Sequence, residues 1–325
     1  MSAINKQAGW LGAVLCFFCL LAFFNVPAYG EYPDRPIKIY ATTTAGGTAD
    51  MWSRAWSEEF SKILKVPVVV QPEGGASGMA ALIEASKAKP DGYTLTYVAQ
   101  SNVVGFAVSA KSPFDLFKDF VPLGACGSTP TIIVVEKSSP FQTIDELLDY
   151  AKKNPGKLKC GTSGVTVVSH FNFELLKHYT NLDFIMVPFK GSPQAITALL
   201  GKHVDMLSVL ALPLQGMVKS GRVRTLLTTR KLKDQQDVPT FAEKGLAKAA
   251  IPGWSGLIAP AGTPKEVQAK LADAFQRVTK YPEVIKKLET LGFSAEYRTP
   301  QEMAKQMKED YDKIKSVAKQ VGIGD

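Results

Sequence analysis

The chain has 325 residues, 46% of them apolar and 21% charged, with a mean hydropathy near zero. This length exceeds the roughly 250 to 300 residues at which one hydrophobic core stops growing, so two lobes are expected; the composition excludes a disordered chain, a multi-spanning membrane protein, a coiled coil and a disulfide scaffold. Lys and Arg outnumber Asp and Glu by 38 to 30 without forming a basic run, a pattern that does not indicate nucleic acid and leaves a solvated basic surface able to steer small anions.

At the N-terminus, Lys6 precedes 15 uncharged, mostly apolar residues at 10–24, and Ala28-Tyr29-Gly30 supplies a small-x-small cleavage site. A bilayer span needs about 20 such residues, so residues 1–30 read as a secretory signal peptide removed before Glu31. Cys16 and Cys19 fall inside it. Leu123-Gly124-Ala125-Cys126 matches a lipid-attachment box but lies too deep in the chain to be processed. Cys126 and Cys160 remain in the mature protein, and their spacing leaves open whether they pair.

The mature chain alternates strand-like and helix-like pieces. An apolar run at 37–40 ends at Ala45-Gly46-Gly47, and Met51, Trp52, Ala55, Trp56, Phe60, Ile63 and Leu64 then recur at helical spacing on one face. A strand at 67–70, a glycine-rich turn at 74–78, a helix at 79–87 and a strand at 95–98 follow. This β-loop-α-β order predicts a parallel sheet with ligand groups at the carboxyl ends of its strands. A second unit repeats the architecture from Thr129: strands at 131–135, 158–160, Ile185–Pro188, 205–210 and 226–229, with helices at 144–152, 167–177 and 193–200. After a charged loop at 230–237 the chain returns to the first lobe with a strand at 254–259 and helices at 264–279, 282–291 and 300–319.

Most catalytic signatures fail. Gly161-Thr162-Ser163-Gly164-Val165 lacks the final glycine of GxSxG, so a nucleophile elbow is not indicated. The three histidines, His170, His178 and His203, stand in no metal-binding spacing, and neither phosphate-loop fingerprint occurs, so no metal and no cofactor is expected. Two hydroxyl-rich, glycine-bearing loops remain, each between a strand and a helix: Thr42-Thr43-Thr44-Ala45-Gly46-Gly47-Thr48-Ala49-Asp50 and Gly161-Thr162-Ser163-Gly164-Val165-Thr166. Free N–H groups and the positive end of the helix dipole suit such loops to a carboxylate, although a single loop of this kind is by default only a capped helix start. Asp50 either caps the first turn internally or receives a donor from a ligand.

With Tyr32-Pro33-Asp34-Arg35-Pro36-Ile37, Ala45-Gly46-Gly47-Thr48-Ala49-Asp50, Pro90-Asp91-Gly92-Tyr93-Thr94-Leu95, Ser163-Gly164 with Ser169-His170, Pro188-Phe189-Lys190-Gly191, Val238-Pro239-Thr240 and Ala259-Pro260-Ala261-Gly262-Thr263-Pro264, the mature chain resembles the solute receptors of tripartite tricarboxylate transporters, the Bug family. The resemblance implies a type II periplasmic binding protein of the α/β class, a two-lobed Venus flytrap in which each lobe is a mixed, mostly parallel sheet flanked by helices. Lobe 1 comprises 31–128 and 250–325, and lobe 2 comprises 129–249. It further implies a periplasmic, monomeric, non-enzymatic protein that closes over a small carboxylate by a hinge near 127–130 and 240–253 and presents it to membrane permease subunits. The same fold acting as a sensor for a membrane kinase stays open, and a secreted serine hydrolase using Ser163 and His170 is the remaining alternative.

Carried onto this chain, the family's binding loops are Thr44, Gly46, Gly47, Thr48 and Asp50 in lobe 1 and Ser163, Gly164, Val165 and Ser169 in lobe 2, with His170 at the edge. Ser101, Asn102, Gly191 and Asp205 are further expected walls. Ala45 replaces the family's usual proline, Gln71-Pro72-Glu73 replaces its Glu-Asn-Arg, and Ser208-Val209-Leu210 is more apolar than usual, which favours an aromatic or aliphatic acid over a citrate-like one.

Overall fold

The structure, a computed structural model, describes residues 32–75, 78–109, 111–165 and 167–323. Contacts divide the chain between Asp34 and Arg35, and every element below lies in Arg35–Asp325. The expected signal segment with Cys16 and Cys19 falls outside the described residues, as do Ala76, Ser77 and Thr166 of the glycine-bearing turns.

The first half of the fold runs β1 (Ile37–Ala41), α1 (Thr48–Leu64), β2 (Val68–Pro72), α2 (Met79–Ser86), β3 (Thr94–Ala99), α3 (Gln100–Ala107) and β4 (Phe120–Cys126). Next come β5 (Thr131–Glu136), α4 (Ile144–Lys153), β6 (Lys159–Thr162), α5 (Val168–Thr180), β7 (Ile185–Pro188), α6 (Ser192–Leu200), β8 (Met206–Leu210), α7 (Gln215–Lys219) and β9 (Val223–Thr228). The chain ends with β10 (Ser255–Pro260), α8 (Lys265–Val278), α9 (Pro282–Thr290), β11 (Tyr297–Arg298) and α10 (Pro300–Val321).

The strands form two sheets. One is ordered β11-β4-β10-β3-β1-β2, with β1 parallel to β2 and β3, while β10 is antiparallel to β3 and β4. The other is ordered β7-β6-β8-β5-β9, with β6 parallel to β7 and β8 and β5 antiparallel to β8 and β9. Both are therefore mixed, with most strands pointing one way, and helices flank them as expected. Helix α3 and strand β4 were not expected from the sequence. Ser101, Asn102 and Gly105 make α3 a poor intrinsic helix, and Pro122 and Gly124 break the strand pattern of β4 at the register irregularity opposite Leu257 and Ile258.

Helix α1 is held by its apolar face. Trp52, Trp56 and Phe60 are fully buried and meet each other and Phe275 of α8 mostly edge to face, with centroids 5.0–6.4 Å apart. Such aromatic pairs add about 0.5–1.5 kcal/mol each beyond burial. The Trp52 indole N–H donates to the Cys126 carbonyl at 2.8 Å, fixing the first turn of α1 against the end of β4.

Helix α5 is buried over Val168–Leu176 on all sides, as expected of a helix enclosed between layers rather than laid on a surface. Its Asn172 donates to the Ile251 carbonyl at 3.1 Å and accepts from the Ile251 N–H at 2.6 Å, pinning a segment that runs back towards β10. The two inter-sheet connections touch each other: the Ser255 N–H donates to the Gly127 carbonyl at 2.9 Å. A Cβ at Gly253 would lie 2.4 Å from the Thr129 carbonyl oxygen, so only glycine permits this approach. One apolar cluster includes Val103, Phe171, Ile251, Trp254 and Met307 and so draws on elements of both sheets; a smaller one, with Ile132, Leu199 and Leu207, lies under the second sheet.

Cys126 on β4 and Cys160 on β6 are both buried free thiols on different sheets, not a disulfide. No helix among the described residues is long and apolar enough to cross a membrane.

Candidate functional site

A cleft of about 470 Å³ opens at the carboxyl ends of β1 and β3. The first sheet contributes Thr42, Thr43, Thr44, Thr48 and Ala49, the α2 turn with Gly78, and Tyr97, Gln100, Ser101 and Asn102. Val167, Val168 and Leu210 come from the second sheet's side, and Thr129, Gly253, Trp254, Ser255 and Phe293 close the wall where the chain passes between sheets. Among the described residues, no charged side chain lines it. Two larger depressions, of about 710 and 800 Å³, lie elsewhere, one beside Phe106 and Tyr311 and one beside the 230–236 loop. The first does not sit at the carboxyl ends of parallel strands, where open α/β sheets bind ligands, and the second, which follows the ends of β8 and β9, is lined by the charged 230–236 loop and by no residue of the two glycine-bearing loops.

The chemistry of the cleft begins at the start of α1. The first turn of a helix has N–H groups without intrahelical partners. Here the Gly47 N–H donates to the Thr44 carbonyl at 2.9 Å and the Asp50 N–H to Thr43 Oγ1 at 3.4 Å. No bond to the Thr48 or Ala49 N–H is found among the described residues, and both residues line the cleft. Asp50, buried, accepts from the Gly46 N–H at 2.9 Å and from Arg54 Nε at 2.7 Å. Of its two sequence readings, internal capping is therefore the one observed. Gly46, Gly47 and Asp50 shape the loop, whereas Thr44 and Thr48 face the cavity. A Cβ at Gly47 would lie 2.5 Å from Thr43 Oγ1, so the tight loop requires glycine there.

Ser101 and Asn102 line the cleft, with Asn102 Oδ1 accepting from the Ala99 N–H at 2.8 Å to cap α3. The second-lobe residues fall differently. Ser163, Gly164 and Val165 are not part of the wall; the cavity instead meets Val167 and Val168 immediately after them. The Ser163 carbonyl accepts from the Gly191 N–H at 3.1 Å, so Gly191 braces this loop and does not line the cavity. Ser169 is buried and its carbonyl accepts from Ser208 Oγ at 2.7 Å. Asp205 is misplaced by the sequence reading: exposed at the start of β8, it accepts from the Lys159 N–H at 2.7 Å, at the end of the second sheet opposite to the cleft.

His170 is also internal. Its Nδ1 lies 3.2 Å from Thr162 Oγ1 and its Nε2 3.8 Å from Glu174, and burial lowers its pKa while Glu174 opposes the shift and Lys177 adds to it. The imidazole engages Thr162 and Glu174 rather than Ser163, so no Ser–His pair is assembled. Among the described residues no cluster of His, Cys, Asp or Glu is arranged to hold a metal.

Sequence reasoning missed Tyr97, Gln100, Trp254 and Phe293. Tyr97 shares a hydrogen bond with Ser255 Oγ at 2.8 Å, and burial pushes its hydroxyl to about 12, so it remains protonated. Trp254 Nε1 donates to Asp310 at 2.7 Å. Gln100, 1% exposed, has no partner for either end of its amide among the described residues. Its place directly after a strand at the carboxyl edge, beside the expected Ser101 and Asn102, was the one available signal.

The family described as "Tripartite tricarboxylate transporter family receptor" matches residues 53–323. The chain belongs to this family. The receptor is 32% identical to a UPF0065 protein in the gbd 5′ region of Cupriavidus necator, over 90% of this chain and 89% of the relative, and 26% identical to Protein BugT of Bordetella pertussis, over 95% and 97%. Among solved structures it superposes with a TctC solute-binding protein from Polaromonas at a TM-score of 0.81, with 25% identity over 89% of this chain and 99% of that one. It also matches MatC from Rhodopseudomonas palustris with bound malate (TM-score 0.69, 27% identity, 88% and 99% covered) and another R. palustris protein with adipate (0.72, 26%, 90% and 99%).

Proposed function

We propose that this receptor captures a small organic acid in the periplasm and delivers it to the membrane subunits of a tripartite tricarboxylate-type transporter, binding it without chemical conversion. The observation that carries the reading is the pair of amides, Thr48 and Ala49, that have no acceptor among the described residues, at the start of α1 in a cleft whose described lining includes no charged side chain. A carboxylate placed there gains two charge-assisted hydrogen bonds and the favourable end of the helix dipole. The malate and adipate bound by family relatives support the ligand class. Thr44, Thr48, Ser101 and Asn102 stand in the wall, Gly46, Gly47 and Asp50 hold the loop, and Ser163, Gly164 and Gly191 support the second side through Val167 and Val168. Rotation about 127–130 and 240–253 closes the two sheets over the acid, excluding water and strengthening each bond.

Native mass spectrometry of the purified protein, followed by thermal-shift screening against mono-, di- and tricarboxylates, tests this. A ligand that binds only the folded state raises the melting temperature. A cell lacking the receptor is expected to lose uptake of the same acid. Failure of every acid to shift the melting temperature refutes ligand capture, and uptake unchanged in the deletion strain refutes delivery.

A further inference from the structure

We propose that the depression of about 800 Å³ beside the 230–236 loop is a second ligand site, in which the Arg230 guanidinium holds the carboxylate of a monocarboxylic acid with an apolar body. The site is separate from the cleft, because the two linings share only Phe293 among the described residues.

The depression lies where sheets of this kind take ligands. Strand β5 is antiparallel to both β8 and β9, so those two strands run the same way, and Ala211, Leu212 and Arg230 follow their carboxyl ends. The loop that carries Arg230 is already fixed. Thr228 Oγ1 donates to the Arg230 carbonyl at 2.8 Å, and the Leu232 carbonyl accepts from the Gln235 N–H at 3.1 Å and from Gln236 Nε2 at 2.8 Å. A wall held in this way loses little freedom when a ligand arrives.

The other cations of the lining are engaged. Lys219 lies 3.5 Å from Asp234 and Lys233 3.8 Å from Glu289, while Lys231 pairs with Glu243 at 3.0 Å and donates to the Gln236 and Val238 carbonyls. The Arg230 guanidinium has neither an acceptor nor an acidic partner among the described residues. Its Nε is buried in that state, whereas Nη1 and Nη2 stay open to solvent. The planar fork of a guanidinium matches the two oxygens of a carboxylate. A second carboxylate on the same ligand would find each lysine already paired, and Ile132, Leu212, Val218, Leu232 and Phe293 supply apolar surface for the body of the molecule.

The probe is 4-iodobenzoate, a monocarboxylate with an apolar ring and an anomalous scatterer. Crystals grown with it are expected to show an iodine peak in the depression, with the carboxylate on Arg230. Calorimetry with the same probe is expected to show this binding at least about ten-fold weaker in Arg230→Gln, partly kept in Arg230→Lys, and weakened in Gln215→Glu, which sets a negative charge on an exposed position of the wall. Circular dichroism checks the fold of each variant, and Gln215→Glu decides the matter if Arg230→Gln is unfolded. Iodine in the cleft alone, no iodine at all, or affinities equal in wild type and variants overturns the second site. An iodine peak at Arg230 without Arg230-dependent binding in solution is binding at crystal concentration only and overturns it too. Each of these outcomes leaves capture in the cleft standing, since that rests on the α1 amides and its own acid screen.

Discussion

Asp310 has no exposed surface, yet its carboxylate is held between two donors, Trp254 Nε1 and Gln306 Nε2, each at 2.7 Å. Burial pushes its pKa from 3.8 up to about 6, the two hydrogen bonds and the charges of Lys313 and Arg298 pulling the other way. A carboxyl group whose folded pKa is raised binds its proton more tightly in the folded state. Its contribution is therefore fully present below pH 3.8 and is lost as pH rises to about 6, a difference of about 3 kcal/mol. Asp310→Asn removes that titration and retains an acceptor for Trp254. The stability of the variant relative to wild type, measured by urea unfolding, is expected to rise by about 2 kcal/mol between pH 4 and 7; a difference that stays constant with pH would show that Asp310 does not titrate here. None of this was readable in the sequence, where Asp310 stands among Lys308, Glu309 and Asp312 like any solvated helix position. His170 was misread for the related reason that a motif gives proximity along the chain but not the direction of a side chain.

At the scale of elements, α1 shows why part of the site was legible. Its apolar spacing identified the helix, Ala45-Gly46-Gly47 marked its beginning, and a helix that starts there must present unpaired amides. Helix α3 offered no such periodicity, so the wall around Gln100 was recognised only through its neighbours. The lobe-2 loop was placed at the correct end of its sheet, but its amides were overvalued, since the cavity meets the side of the next turn at Val167 and Val168. The role of the α1 amides can be isolated by backbone chemistry. Thr48 is the first helical residue and Gly47 before it is extended, with ψ of 169°, a geometry compatible with proline at 48. Thr48→Pro deletes the N–H, while Thr48→Val retains it and loses only the hydroxyl. Calorimetry with the acid identified by screening is expected to show about 10- to 100-fold weaker binding for Thr48→Pro than for Thr48→Val, the range for a hydrogen bond to a charged group. Equal affinities of the two variants would remove the α1 amide from the site.

For the whole molecule, the arrangement of apolar surface decides whether the two sheets behave as independent parts. Each carries its own strands and flanking helices, which alone would allow separate unfolding. Yet the larger apolar cluster joins Ile133 and Phe171 on the second sheet's side to Val98, Trp254 and Met307 on the first, and Asn172 pins the returning segment at Ile251 with two buried hydrogen bonds. Losing either half would expose this shared surface and leave the Ile251 amide and carbonyl unpaired, at about 1–3 kcal/mol for each group. The ligand-free protein is therefore expected to unfold in one calorimetric transition whose van't Hoff and calorimetric enthalpies agree. A bound acid contacting both sides of the cleft then moves the entire transition upward, by about 2.7 kcal/mol at a hundred times its dissociation constant. Two resolved transitions, or a ligand that shifts only part of the heat absorption, would mean that the sheets are coupled through the hinge segments alone and that the acid is held by one of them.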